Sequence, residues 1–280
     1  MDMKSVKKIA ILGVGFMGGS LSLALRKGFP ESEVWGYARS TKSYDKLKKL
    51  KVLNRVDRDY RKVIKDADLV VLALPVEVIV DYLKKISCLL KRKSIVFDLG
   101  SSKRVIEKAA QKYLPKSVSF VGCHPLCGSE KSGPEFSRKD LYKNSLCLIT
   151  SSPKAASTKV VERLFKRIGS KVVFIKAAHH DEVLSSVSHL PHLISFSLTE
   201  AVPSAYLKFA SGSFRDLTRI SSSPAGVWAQ IFMSNKKNLL KDLNGFIKVL
   251  KKYEALLKKG NEAKIIDLIN KAHSKQKHIL

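Results

Sequence analysis

The chain has 280 residues, 45% of them hydrophobic, with a formal net charge of +28 from 52 lysines and arginines against 24 acids. That length supports two domains with their own cores. The lysines are scattered through nearly every segment, with no basic run interleaved with aromatics. They therefore read as a solvated surface and argue against a specific nucleic-acid interface. The most apolar stretch, 69–83, is interrupted by Pro75, Glu77 and Asp81 and is too short to span a bilayer. The N-terminus carries no signal-peptide pattern, so a cytoplasmic protein is expected, with Cys88, Cys123, Cys127 and Cys147 as free thiols.

Residues 7–12 form a short apolar run closed by Gly13, the pattern of a buried strand, and 16–27 reads as a helix ending near Gly28. Further short strands are expected at 34–37, 69–74, 94–98 and 118–121, with helices at 78–90 and 103–113. This alternation predicts a mostly parallel sheet with helices on both faces. Residues 146–150, 155–168 and 171–175 are expected to add a last strand–helix–strand unit to that sheet. Beyond Lys176 the strand signal stops, and helices are expected at 179–202, 224–234 and 236–258. In the last of these Leu239, Leu243, Phe246, Leu250, Tyr253 and Leu257 recur at three and four residues, an apolar stripe that needs a partner surface. The fold class expected is α/β. A Rossmann-type dinucleotide-binding domain spans 1–176, and an all-α substrate-binding and dimerisation domain spans 177–280.

Gly13-Val14-Gly15-Phe16-Met17-Gly18 fits G-x-G-x-x-G between the first strand and the first helix. Glycines there let backbone N–H groups approach a pyrophosphate at a helix N-terminus. An acid that would hold a ribose 2′-hydroxyl is expected about twenty residues further on. The chain instead reads Tyr37-Ala38-Arg39-Ser40-Thr41-Lys42. Ala38 leaves room, and Arg39, Ser40 and Lys42 can donate to a 2′-phosphate, a task suited to a guanidinium fork. NADP is therefore expected over NAD, which stays as the alternative. The cofactor side is assigned to Gly13, Gly15, Phe16, Met17, Gly18, Arg39, Ser40, Leu74, Pro75 and Ser101. Cys123 and Cys127 flank His124 without a second ligand pair at zinc-like spacing, and no metal is expected.

Polar motifs follow at the carboxyl ends of the expected strands and beyond: Asp98-Leu99-Gly100-Ser101-Ser102-Lys103, Gly122-Cys123-His124-Pro125-Leu126-Cys127-Gly128-Ser129-Glu130-Lys131-Ser132-Gly133, His180-Asp181, Ser188-His189-Leu190-Pro191-His192, Phe214-Arg215-Asp216-Leu217-Thr218-Arg219-Ile220 and Trp228. Taken in this order over nearly the whole length, they resemble the prephenate and arogenate dehydrogenases of tyrosine biosynthesis. The resemblance implies an oxidative decarboxylation in which hydride leaves C4 of a cyclohexadienol for the nicotinamide, carbon dioxide is lost and the ring becomes aromatic. It makes His124 the base at the 4-hydroxyl and Ser101 the residue that helps orient hydroxyl and histidine. Arg219 becomes the ligand of a substrate carboxylate. His192, His180, Ser129, Lys131, Gly212 and Trp228 are assigned to the substrate pocket or its access, with Glu130 in the same loop. Asp216 would orient a neighbouring cation.

Other readings of single residues stay open. Arg219 could simply pair with Asp216, His189 could be a satisfied core histidine, and Trp228 could be core or pocket wall. Two departures from the family pattern stand out: Cys127 where alanine is common, and Ser211-Gly212-Ser213 where glycines are denser. Neither a fused mutase nor a tyrosine-sensing domain is expected, and prephenate cannot be told from arogenate. The competing functions are a different NADP reductase of a small imine or hydroxy acid, which would carry a catalytic lysine in its second domain, and a non-enzymatic dinucleotide- or nucleic-acid-binding protein.

Overall fold

A computed structural model describes residues 5–128 and 131–279. Strands β1 (Lys8–Leu12), β2 (Glu33–Tyr37), β3 (Arg55–Asp57), β4 (Leu69–Leu72), β5 (Ile95–Asp98) and β6 (Ser119–Val121) build one six-stranded sheet in the order β3-β2-β1-β4-β5-β6. Every neighbouring pair in it is parallel. The crossovers are α1 (Phe16–Gly28), α2 (Thr41–Leu50) and α3 (Tyr60–Ile64) on one half, and α4 (Val76–Ile86) and α5 (Arg104–Tyr113) on the other. This is the doubly wound order, which reverses between β1 and β4 and opens a crevice beyond the carboxyl ends of those strands.

The residues explain the sheet. β1, β4 and β5 are almost wholly apolar because both faces are covered. Ile9 and Ile11 of β1 join Val71 and Phe97 in one core, with Leu21 and Leu25 of α1. Ala10 and Leu12 point the other way and join Val70, Val96, Ile79 and Ile106 in the second. The register sets Leu12 beside both Tyr37 and Leu72, and Leu72 beside Asp98. The turns after β1, β4 and β5 therefore end at one level.

One expectation is corrected. Residues 146–175 do not extend the large sheet. β7 (Cys123–Leu126), β8 (Leu146–Ile149) and β9 (Lys171–Phe174) form a separate three-stranded sheet, with β7 antiparallel and β9 parallel to β8. The physical cause lies at Gly122 and just beyond. The chain leaves β6 there, and the Cys123 N–H is taken by the Asp98 carboxylate at 3.2 Å. Pro125, which has no N–H to give, sits within β7 at the edge of the new sheet. Helix α6 (Ala156–Arg167) returns Val160, Val161, Leu164 and Phe165 to the first core.

The helix expected over 179–202 is also not uniform. α7 (Ala177–Leu184) and α8 (Leu190–Ala201) are joined by a π turn at Ser185–His189, where the Leu190 N–H reaches back to Ser185 O. Pro191 cannot donate in the next turn, and the wider turn absorbs that loss. After α9 (Gly212–Thr218) comes α10 (Ala225–Ser234), which packs on α4 and meets the Glu77 N–H through the Gln230 side chain at 3.4 Å.

Compactness divides the chain at 235/236, later than the point where strands give way to helices. The second unit is a helical hairpin of α11 (Lys236–Lys258) and α12 (Glu262–Gln276). Its turn uses Gly260 at φ +58° and Asn261, whose side chain caps α12 by accepting from Lys264 N at 3.1 Å. Much of its apolar stripe stays open: Leu250 is 50% and Leu257 67% exposed. Among the described residues no helix is long and apolar enough to cross a membrane.

Candidate active site

The crevice at the switch point is a cleft of about 660 Å³ within residues 1–235. Its nucleotide side is the turn between β1 and α1. Gly13 has φ +98°, and a Cβ there would lie 2.2 Å from Ala73 O on the neighbouring β4 connection. At Gly18 a Cβ would lie 2.2 Å from Gly13 O, so α1 can seat on the turn only without a side chain. Gly15 differs: nothing lies within 4 Å of its Cβ direction, and it lines the cleft with Phe16 and Met17. A helix N-terminus thus meets open space at the one glycine of the motif that packing does not require. These residues fit a dinucleotide pyrophosphate. Leu74 and Pro75 border the same cleft beyond β4, as does Ser101 beyond β5.

Arg39 and Ser40 lie apart from this cleft, exposed after β2. Ser40 caps α2, its hydroxyl accepting from Ser43 N at 3.2 Å. Ala38 is buried, and the acid closing the next strand, Asp57, is occupied by the Asp59 N–H at 2.8 Å.

The chemical side is built from side chains. His124, on β7, is half-buried and faces the cleft. Its Nδ1 lies 2.9 Å from Nε2 of His180, whose Nδ1 lies 2.8 Å from Asp181 Oδ1. His180 is fully buried and does not line the cleft; it stands behind His124. Asp181 also accepts from the first amides of α5, Lys103 N at 2.8 Å and Arg104 N at 3.0 Å. Burial lowers the pKa of His124, and His180, Lys103 and His189 press it further down. Burial likewise lowers His180, against the opposing pull of Asp181. Burial would raise Asp181, but the bonds from His180 and the two amides outweigh it and hold the carboxyl below its usual range. His124 and His180 are therefore neutral, and Asp181 ionised, at neutral pH.

Beneath them lies a residue that sequence reasoning passed over. Lys103 is fully buried; its Nζ donates to Asp98 and, at 2.6 Å, to Cys123 O. Asp98 also accepts from Gly100 N at 2.8 Å and from Cys123 N at 3.2 Å. One ion pair thus grips the residue before His124 by both its amide and its carbonyl. The signal was present in Asp98-Leu99-Gly100-Ser101-Ser102-Lys103, an acid at a strand end and a lysine at a helix start. Asn235 was equally unread: its side-chain amide donates to Asp181 O at 2.6 Å and meets His189 Nδ1 at 3.2 Å.

The opposite wall comes from the helices. His192 stacks on Trp228 with ring centroids 3.5 Å apart and planes 19° off parallel, and its Nδ1–H donates to Ser188 O at 2.9 Å. Burial lowers the pKa of His192; the Ser188 carbonyl opposes this and Arg219 adds to it. Arg219 lines the cleft from the turn after α9, and Lys131 lines its rim with its ammonium over the Phe136 ring. Gly212 opens α9 with free space around it and takes no part in the lining. Ser129 and Glu130 lie outside the described residues. No group of three metal-ligating side chains gathers among the described residues. Burial instead pushes the Cys127 thiol up to about 12 and raises that of Cys123.

An aromatic and cationic wall facing a neutral histidine, with a glycine turn beside it, suits an anionic ring substrate next to a dinucleotide. Comparison with known proteins agrees. Residues 21–174 match the family model for the nucleotide-binding domain of prephenate dehydrogenase, and 176–271 match that for its dimerization domain. A cyclohexadienyl dehydrogenase of Zymomonas mobilis is 32% identical over 256 residues, covering 88% of this chain and 87% of that protein. A prephenate dehydrogenase of Lactococcus lactis is 32% identical over 253 residues, 88% and 70% of the two chains. The crystal structure of prephenate dehydrogenase from A. aeolicus with hydroxyphenyl propionate and NAD+ superposes with a TM-score of 0.89 at 31% identity, over 99% of each chain. With both halves of the cleft and nearly the whole chain accounted for, the protein belongs to the prephenate dehydrogenase family, the NAD(P)-dependent oxidoreductases that include the prephenate, arogenate and cyclohexadienyl dehydrogenases of tyrosine biosynthesis.

Proposed function

We propose that the chain oxidatively decarboxylates prephenate or arogenate, with His124 as the base and NADP as the preferred acceptor. The observation that carries this reading is the convergence of Ser101, His124, His192, Arg219 and Trp228 on one cleft with the glycine turn. When bound, the nicotinamide supplies a hydride acceptor. The protein's residues do the rest. Arg219 offers a planar donor fork to a substrate carboxylate. The stacked His192–Trp228 pair gives the ring a flat wall. Ser101 can donate to or accept from the 4-hydroxyl, and His124 takes its proton as carbonyl character develops at C4. A histidine held neutral by burial suits that role, because a base must arrive unprotonated.

The NADP preference rests on the buried Ala38, the exposed Arg39 and the absence of a free acid at the end of β2. The relative from A. aeolicus was solved with NAD+, so the cofactor is a point to measure. The helices of 177–280 are proposed to carry the substrate wall and a homodimer interface, in keeping with the match to a dimerization domain. A reductase with a catalytic lysine in its second half is disfavoured, since among the described residues the only lysine lining the cleft is Lys131.

The deciding experiment follows NAD(P)H formation by the purified protein with prephenate and with arogenate, each with NADP and with NAD. Turnover of either substrate is expected, with higher kcat/KM for NADP. No turnover of either removes the activity, and equal or better use of NAD removes the cofactor preference.

A further inference from the structure

We propose that His180 and Asp181 are positioning residues that fix the proton on Nδ1 of His124 and so keep Nε2 of His124 a free base toward the cleft. This rests on the reading of His124 as the base. Asp181 accepts from two backbone amides, Lys103 N and Arg104 N, which can only donate. An ionised carboxylate is acceptor-only, so the third contact, at 2.8 Å, must be a proton on Nδ1 of His180. A neutral imidazole carries one proton. Nε2 of His180 is then a lone pair, and the 2.9 Å contact must be donated by Nδ1 of His124. The single proton of neutral His124 is thereby placed away from the cleft.

Three features make the assignment one-way. Asp181 sits at the N-terminus of α5, where the helix dipole and its unpaired N–H groups favour the ionised form. The whole relay is sealed: His180 is 0% and Asp181 2% exposed, so no bulk water competes for either nitrogen. Burial disfavours the protonated form of both rings; Lys103 adds to this at each and His189 at His124, while Asp181 and Asp98 oppose it at His180 without overcoming it. Without His180, Nδ1 and Nε2 of His124 would share the proton and part of the population would meet the substrate hydroxyl donor to donor. The ordinary role of a buried histidine is to fill space with its polar atoms satisfied. The relay goes further, because the two donating amides, an ionised carboxylate and neutral rings together fix every hydrogen-bond direction in it.

The test reads the tautomer directly. In protein carrying 15N-labelled histidine, the side-chain nitrogen shifts of His124 are expected to show Nδ1 protonated and Nε2 bare. In His180→Leu both tautomers are expected. Turnover should fall by about 10²-fold while KM moves less than about threefold, in line with the loss seen when a base is left in the wrong tautomer. His180→Gln can still present an oxygen to His124 and is expected to recover at least about tenfold of that loss. A wild-type His124 protonated on Nε2 overturns the proposal. So does a His180→Leu protein with a single unchanged tautomer and turnover within about threefold of wild type. If His180→Leu does not fold, the wild-type spectrum decides by itself. The two readings separate cleanly. Loss of turnover in His124→Asn with normal turnover in His180→Leu removes the relay and keeps the base, whereas normal turnover in His124→Asn removes the base.

Discussion

Where the cleft meets α1 its surface is set by backbone, and where it meets β7 it is set by side chains. On the first side, a positive φ at Gly13 and a near contact between Gly18 and Gly13 O shape the turn; no side chain caps α1 there, and the Tyr142 hydroxyl reaches the turn only at the Met17 carbonyl, 2.8 Å away. On the second, Asp98, Lys103, His180 and Asp181 hold His124 from behind through contacts spanning 1 to 78 residues of sequence. A backbone-made site tolerates side-chain change except at its glycines. A side-chain-made site fails whenever one member of its network is removed. Substitutions at five positions, His124, Lys103, Gly13, Gly15 and Arg39, test this contrast.

The largest effect is expected at the reacting end. His124→Asn should lower turnover by about 10²–10⁴-fold with KM little changed, measured by steady-state NAD(P)H formation. Because burial, with His180, Lys103 and His189 nearby, holds the His124 pKa below the ordinary histidine value, wild-type kcat/KM should stay level as pH falls through 6.5 and decline only below it. A decline centred above that value would contradict the neutral base.

Next is Lys103→Met, which leaves the Asp98 carboxyl without its cation and sealed from water. Removing one partner of a buried pair costs about 3–5 kcal/mol. A large loss of Tm is expected, partly restored by adding Asp98→Asn. A Tm within a degree or two of wild type would show that the pair is not what holds Cys123.

The glycine turn should separate stability from binding. Gly13→Ala forces φ +98° on a side chain that has 2.2 Å to Ala73 O, and about 1–3 kcal/mol of stability should go. Gly15→Ala meets nothing in the protein and should leave Tm alone while raising KM for the dinucleotide severalfold. Similar Tm losses in both would mean the turn has no special open position.

The smallest effect is at the outer edge. Arg39→Ala should weaken NADP by about tenfold, near 1.4 kcal/mol, and leave NAD unchanged. Equal losses for both cofactors would mean Arg39 does not read the 2′-phosphate.

The same contrast explains what the sequence disclosed. The glycine turn, the parallel sheet and most of the longer helices are local, written in residues close together, and they were legible, whereas the helices Thr41–Leu50, Tyr60–Ile64, Gly212–Thr218 and Glu262–Gln276 were not read. The strand Arg55–Asp57 was too short to announce itself, and the separate sheet of β7 to β9 was hidden because nothing local states a strand's direction. His124, Arg219, His192 and Trp228 could be placed around one site only by resemblance. That His180 stands behind His124, and not on the pocket wall, depends on where α7 crosses α5, which no window of sequence encodes. Lys103 was visible and unread, because a lysine is ordinarily solvated and the pairing of Asp98 at a strand end with Lys103 at a helix start does not by itself say that both are sealed.

The carboxylate of Asp181 closes the N-terminus of α5 and meets His180 with the same oxygen that caps Lys103. In the proposed relay, folding and reactivity therefore share one atom. A change at 181 cannot trade stability against rate, as substitutions near active sites commonly do, because it removes a helix cap and a hydrogen-bond acceptor together. Under the proposed relay, drift at this position is screened twice, once by the folded population and once by flux, and a protein frayed at α5 loses the proposed orientation of His124 with it.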